Sequence, residues 1–244
     1  MAARFPLALA YLRANLQKLA ARERGRFQSA NWYAFGYPKS MALFKQPKIV
    51  VPDYNNIASF TFDSHGHFFK TGYGVLVKDK ALSPIYVLGL VNSRLLFQYL
   101  LSIGTYLRGG YVRFWTQFIE QLPIRTIDFS DAVDEARHDK MVGMVEQMLA
   151  LHKQLGAART SHDKAVLQRQ IGVLDKRIDA LVYEIYGLTD EEVRILEEAA
   201  QTTVAASSDS ADPEDEPEDE IPARQDQRGI HWEMENGVGS VRSP

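Results

Sequence analysis

The residues best equipped for chemistry lie together between Arg108 and Ile124, in the run Arg-Gly-Gly-Tyr-Val-Arg-Phe-Trp-Thr-Gln-Phe-Ile-Glu-Gln-Leu-Pro-Ile. Arg108 and Arg113 offer forked guanidinium donors, which match phosphates and the edge of guanine. Between them, Gly109 and Gly110 permit positive φ and let the backbone come close to a ligand. Tyr111, Phe114, Trp115 and Phe118 add aromatic surface that either stacks on bases or fills a core. A glycine turn leading into an aromatic strand has the same composition, so the run by itself leaves both uses open.

Two further constellations invite a metal and are declined. Asp53 follows Pro52, with Asp63 ten residues on, as in a metal-dependent nuclease. The sequence Asp63-Ser64-His65 lacks the acidic-x-lysine pair that would hold the ion and activate water. His65 and His67 beside Asp63 could bind zinc, but histidines in turns are usually solvated, and no metal is expected.

The elements that must position these residues carry an uneven charge. Residues 1–127 hold 16 Lys and Arg against 5 Asp and Glu, residues 128–189 hold 8 against 10, and residues 190–244 hold 4 against 16. The net charge of −3 over 244 residues therefore conceals a basic front and an acidic end. A basic front suggests a polyanionic partner, nucleic acid above all, against the plain alternative of a solvated Lys/Arg face. The chain has no cysteine. That excludes disulfides and a thiolate zinc site, and fits a reducing, cytoplasmic setting. No apolar run reaches the about 18 uncharged residues that a membrane span needs, so no membrane partner is expected. The start of the chain, interrupted by Arg13, reads as structure rather than a removed leader.

Pro6 suits the first turn of a helix, and Leu9, Leu12, Leu16 and Leu19 recur on one face, which predicts a helix to Ala20 with that face buried. Arg22, Arg24 and Arg26 precede the aromatic run from Asn31 to Lys39, a mixture used by surfaces that track a nucleic-acid backbone and, more often, by cores. Lys48 to Pro52 reads as a buried strand, Ser59 to Lys70 as a β-hairpin turning at 63–67, and Tyr73 to Lys78 as a strand. Ser83-Pro84 opens a helix that the pattern carries to Ser102 as the buried centre of the domain. Arg94 interrupts it, either snorkelling to the surface or meeting a phosphate. Ser130 with Asp131, Asp134 and Glu135 caps a heptad-like helix, and a second, from Leu167 to Ile185, completes an antiparallel, coiled-coil-like hairpin. Gly187 ends it, and Thr189 to Glu192 makes a capping box for a short third helix. Beyond about Ala200 a disordered acidic tail is expected, centred on Asp209 to Glu220, with Trp232 near its end.

Five segments taken in order carry a resemblance: Lys48 to Asp53, Thr71-Gly72-Tyr73-Gly74-Val75, Tyr86 to Leu95, Arg108-Gly109-Gly110-Tyr111, and Phe118 to Ile124. Together they resemble the TaqI-like C-terminal specificity domain of adenine-N6 DNA methyltransferases and type IIG restriction-modification enzymes. The hairpin ending at Tyr186-Gly187-Leu188-Thr189 is similar to the helical tail of the same proteins. The resemblance implies double-stranded DNA as a partner, recognised by this module and clamped against an adenine methyltransferase catalytic domain or subunit that binds S-adenosylmethionine. It implies phosphate and groove contacts from Arg108, Tyr111 and Arg113, with Lys70, Tyr73 and Lys78 on the glycine-bearing strand, and close backbone approach at Gly109 and Gly110. The family pattern has another basic residue near Trp115 and Thr116, and no base contact is carried over to those two.

The Asn/Asp-Pro-Pro-aromatic motif that holds a flipped adenine is missing, as there is no Pro-Pro dipeptide, and no strand leads into a glycine-rich cofactor turn. The expectation is a recognition portion, a gene fragment or separate subunit, with no catalytic residue, metal or cofactor of its own and no methyl transfer by itself. The rival reading is a protein-interaction module that docks a methyltransferase through the helical hairpin. The expected fold is α+β: a small mixed domain over 1–127 with antiparallel β-hairpins around a buried helix, an antiparallel helical hairpin plus a short helix over 128–200, and a disordered acidic tail over 201–244.

Overall fold

Pro6 opens a helix, as its fixed φ and missing amide allow. In the computed structural model α1 (Pro6–Ala14) is followed, across a break at Asn15, by α2 (Leu16–Ala20) and a single turn α3 (Arg22–Gly25). The structure describes residues 4–30, 32–34, 41–69, 71–107, 110–207, 231–235 and 238–242. They fall into two units, Met1–Met41 and Ala42–Pro244. In the first, the expected face is partly buried at Leu9, Leu12 and Leu19 and exposed at Leu16; no residue of α1 or α2 is fully buried, and Leu7 and Tyr11, off that face, are exposed. The basic run behind the helices serves the unit itself at Arg22, which donates to the carbonyls of Leu19, Trp32 and Ala34 and lies 4.4 Å over the Phe27 ring. Asn31 and residues 35–39 of the aromatic run lie outside the described residues.

After the turn α4 (Met41–Phe44), β1 (Lys48–Val51) is an interior strand of a sheet, its alternate residues Ile49 and Val51 apolar and both its edges paired. β2 (Tyr54–Asn55) leaves that sheet, while β3 (Thr61–Asp63) and β4 (Tyr73–Val77) flank β1 antiparallel, with Ile49 opposite both Phe62 and Val75. The hairpin expected between 59–62 and 68–70 is corrected here, since β3 pairs with β1. Asp63 is the reason. Its oxygens accept from the amides of His65 at 3.0 Å, Gly66 at 3.1 Å and His67 at 2.7 Å, coiling the turn. Phe68 and Phe69 then pack on Phe44, with ring centroids 5.2 and 4.8 Å away, instead of starting a strand.

The apolar run after Ser83 forms two helices where the pattern predicts one: α5 (Pro84–Val91) and α6 (Arg94–Ile103), bent by 63°. Ser83 caps α5 as expected, accepting from the Ile85 amide. The break lies at Asn92-Ser93. The Ser93 hydroxyl donates to Leu90 O at 2.6 Å and accepts from Leu96 N, ending one helix and capping the next. The Asn92 carboxamide donates to Phe60 O at 3.0 Å and accepts from Phe60 N at 2.9 Å, acting as one rung of a strand pair. Among the described residues no single helix is long and apolar enough to cross a membrane.

The chain then passes through β5 (Thr105–Tyr106), β6 (Val112–Arg113) and α7 (Thr116–Ile119). β6 lies between β2 and β5 in a second, antiparallel sheet. Next come α8 (Ala132–Ala157) and α9 (Ser161–Tyr186), the expected hairpin. Asp131, not Ser130, caps α8 by accepting from Val133 N at 2.9 Å, because Ser130 is held by Asp128. Gly187 ends α9 at φ 68°, and the Thr189–Glu192 capping box opens α10 (Asp190–Ser207).

One hydrophobic core runs from Ile49 and Val75 through Leu90 and Leu100 to Met141, Val145, Leu151 and Ile178, crossing residues 127–128 without a break. α8 meets α5 at Gly89, where a Cβ would lie 2.6 Å from Met141 Sδ and 2.7 Å from Val145 Cγ2. Arg94 neither snorkels freely nor waits for a phosphate. Its side chain pairs with Asp179 and Glu197, its amide donates to Asp179 Oδ1 at 2.8 Å, and Glu197 also accepts from the Tyr183 hydroxyl. α6, α9 and α10 are thereby joined.

The fold is α+β, with helices beside mainly antiparallel sheets. Beyond residue 200 the described residues hold two further pieces of regular structure. α10 extends to Ser207, and β7 (His231–Glu235) with β8 (Val238–Arg242) forms a hairpin whose β8 pairs parallel to β4, Val75 opposite Gly239. The acidic run Asp209 to Glu220 lies outside the described residues.

Candidate nucleic-acid interface

The β5–β6 hairpin presents the stretch that carries the chemistry. Leu107 N donates to Tyr111 O at 2.8 Å and closes the loop, and Gly110 adopts a φ of 74°, the left-handed conformation that glycine accepts without strain. Arg108, Gly109 and Lys70 lie outside the described residues. The remaining candidates, Tyr73, Lys78, Gly110, Tyr111 and Arg113, are described.

Side chains alternate across a strand, and directly opposed residues of an antiparallel pair point the same way. Val112 and Phe114 point inward and are fully buried, Phe114 meeting Phe60 edge-on at 5.4 Å. Tyr111 and Arg113 therefore share the outer face. Tyr54 and Thr105 lie opposite Arg113 on either side, and the Tyr54 and Tyr111 rings meet edge-on at 5.8 Å. Trp115 continues this face, half-buried, with the Arg113 guanidinium 5.4 Å from its ring. It also stacks on Phe118 at 6.1 Å. The aromatics thus divide: Phe114 fills the core, whereas Tyr54, Tyr111 and Trp115 border a guanidinium.

Asp53 organises that face. Its Oδ2 accepts from Arg113 Nη1 at 3.3 Å, its Oδ1 from the Tyr73 hydroxyl at 3.4 Å, and its carbonyl from Phe114 N at 2.8 Å. One residue at the end of β1 thus ties β4 to β6. Gly72 makes the approach possible: at φ 92° it sits where a Cβ would lie 2.4 Å from Val51 O. Lys78 is exposed beyond the far end of β4, about 16 Å along the strand from Tyr73, so it does not share the Asp53 cluster. Arg113 is only 17% exposed and its charge is partnered, which leaves it oriented rather than free.

The sequence marks Asp53 only as a declined metal ligand and the end of a family-like segment, and Tyr54 only as part of the loop that follows. The signal for both was Pro52, which ends β1 and turns the next two residues toward the second sheet. Both oxygens of Asp63 are likewise engaged, with buried Lys48 at 2.5 Å and His67 Nδ1 at 2.8 Å besides the turn amides. Burial alone would raise its pKa. The hydrogen bonds from Lys48, His67 and the amides of His65 and His67 outweigh burial and hold it far below the usual carboxylate range. No group of three or more potential ligands is arranged to hold a metal ion among the described residues.

Residues 9–124, a little under half of the chain, match the model of the TaqI-like C-terminal specificity domain. Over 168 residues, 65% of the chain, the sequence is 25% identical to the type II restriction enzyme and methyltransferase RM.Eco57I of Escherichia coli. The matched region is 16% of that enzyme's length.

Proposed function

We propose that this chain binds double-stranded DNA sequence-selectively, as the target-recognition portion of an adenine-specific DNA methyltransferase or a type IIG restriction-modification system. The observation that carries the reading is the outer face of β6 within the matched specificity domain: Arg113, held by Asp53 and bordered by Tyr54, Tyr111 and Trp115. An oriented guanidinium can meet guanine O6 and N7 together, an aspartate can accept from a cytosine amino group, and rings cover sugar or base surface. The Arg108–Gly109–Gly110 loop, Lys70 and Lys78 supply phosphate contacts in this reading, in line with 16 Lys and Arg against 5 Asp and Glu over residues 1–127.

S-adenosylmethionine binding and methyl transfer belong, in this proposal, to a separate catalytic domain or subunit. The exposed Leu7, Tyr11 and Leu16 of α1 and α2 favour these helices as its docking face. The rival docking surface, the seam of the helical hairpin, is less suited, since Met144, Leu151, Leu174 and Ile178 are buried within the chain.

Fluorescence anisotropy on labelled duplexes of several sequences, at low salt, tests the proposal. Sequence-dependent binding, sharpened by a methyltransferase partner, is expected. Failure to bind any duplex, with and without that partner, overturns it. Methyl transfer from labelled S-adenosylmethionine by this chain alone would overturn the division of labour.

A further inference from the structure

We infer that the groove between α8 and α9 is a second site, which takes the sugar–phosphate backbone of duplex DNA flanking the recognised sequence. The inference rests on the DNA-recognition reading above.

The groove is open, about 360 Å³, and is lined by Gln147 and Leu151 of α8 and by Arg169, Gln170, Val173 and Arg177 of α9. Most of the other described arginines from Arg94 onward, though not Arg159, are held in ion pairs. Arg94 pairs with Asp179 and Glu197, Arg125 with Asp134, Arg137 with Glu184, and Arg194 with Glu191 and Glu198. Arg169 and Arg177 make no ion pair or hydrogen bond with any described residue. Helical spacing explains why. Positions 166, 169, 170, 173, 176, 177, 180 and 184 share one face of α9, which adds Lys176; its one carboxylate, Glu184, lies two turns beyond Arg177 and is paired with Arg137. Asp179 is turned away into Arg94, and Asp175 lies on the side that feels Arg94 and His152. On α8, Lys140, Gln147 and Gln154 recur every seven residues along the facing wall, with no acid.

The chemistry is that of a backbone contact. Arg169 and Arg177 stand about 12 Å apart along the helix axis, a length that covers roughly three to four base-pair rises along the DNA axis. Gln147 and Gln170 add amide donors for phosphate oxygens. Between the arginines, Val173 is 61% exposed and, with Leu151, gives an apolar floor suited to deoxyribose. None of these groups reads a base edge in the way a groove-inserted fork does, so the site contributes affinity and register rather than sequence preference.

The test is the double variant Arg169→Gln/Arg177→Gln, whose sites are exposed and unpaired, with thermal melting to verify that it folds as the parent does. Binding is measured against salt on two duplexes, one trimmed to the recognition sequence and one extended by a helical turn on each side. On the extended duplex the slope of log K against log salt is expected to fall by about 1.8, the loss of two phosphate contacts, equally for all sequences. On the trimmed duplex the variant and parent should agree. Parent-like slope and affinity of the variant on the extended duplex overturn the inference and leave DNA recognition intact. A parent that binds no duplex removes both. Unchanged DNA binding with loss of self-association in sedimentation also overturns it, and assigns the groove to a second copy of the chain.

Discussion

Asp53 Oδ2 lies 3.3 Å from Arg113 Nη1, and the other Asp53 oxygen faces the Tyr73 hydroxyl at 3.4 Å. This arrangement fixes the plane of a guanidinium that would otherwise sweep through many rotamers, and a fixed plane is what bidentate reading of guanine requires. Arg113→Ala should therefore lower duplex affinity by about 1 to 3 kcal/mol, and unevenly across sequences. Lys78→Ala, at the far end of β4, should lower it evenly and reduce the salt slope by about one. Anisotropy titrations on a panel of duplexes distinguish the two patterns. An even loss for Arg113→Ala would reduce it to a phosphate contact.

Asp53→Asn makes the complementary case. The amide oxygen still accepts from Tyr73 and the backbone carbonyl still accepts from Phe114 N, but the charge that restrains Arg113 is gone. Because the pair is partly solvated, the cost in stability should be below about 1 kcal/mol. Binding to arbitrary duplexes should tighten and grow more salt-dependent, as one cation is released for phosphates, while the preference among sequences narrows. A variant that binds all duplexes as the parent does would show that Asp53 has no hold on the interface.

Gly89→Ala places two opposed effects in competition. In an exposed helix the change to alanine gains up to about 1 kcal/mol. Here the added methyl would meet Met141 Sδ and Val145 Cγ2 well inside contact distance. Overpacking of this kind costs about 1 to 3 kcal/mol, so net destabilisation is expected. Urea denaturation gives the sign directly, and a stabilised variant would mean that α5 and α8 do not pack closely at this point.

The same comparison shows which features a sequence discloses. Gly187, Thr189 with Glu192, and the α8–α9 turn were legible because each is decided within four residues by capping and backbone conformation. The break at Asn92-Ser93 was not. Apolar periodicity continues straight across it, and what bends the chain is a pair of hydrogen bonds to Phe60, far back in sequence. The partner of β3 is hidden for a related reason, since Asp63 coils the following turn and commits Phe68 and Phe69 to Phe44. In the candidate interface, Tyr111 and Arg113 stood out by type and spacing. Asp53 and Tyr54 did not, because their role depends on β2 joining β6, a pairing that no local pattern announces.

Asp179 makes stability depend on pH in a direction opposite to most carboxylates. Burial pushes its pKa up to about 6, against the hydrogen bond from the Arg94 amide, with Asp175 and Glu197 adding to the rise and the Arg94 guanidinium opposing it. In an unfolded chain the value is about 3.9. The folded state thus holds the proton more tightly, and the stability this group contributes is greatest below pH 4 and declines as pH rises toward 6. Asp63, held far below the ordinary range, acts the other way: its contribution is present above about pH 4 and is lost on acidification. In Asp179→Asn the amide oxygen can still accept from Arg94 N, Arg94 keeps Glu197, and no buried charge forms. Urea midpoints measured from pH 4 to pH 7 should show the variant gaining on the parent as pH rises through 4 to 6, with some slope left by Asp175, whose burial also raises its pKa. Parallel curves for the two proteins would mean that Asp179 is ionised at no cost, and that Arg94 compensates its burial completely.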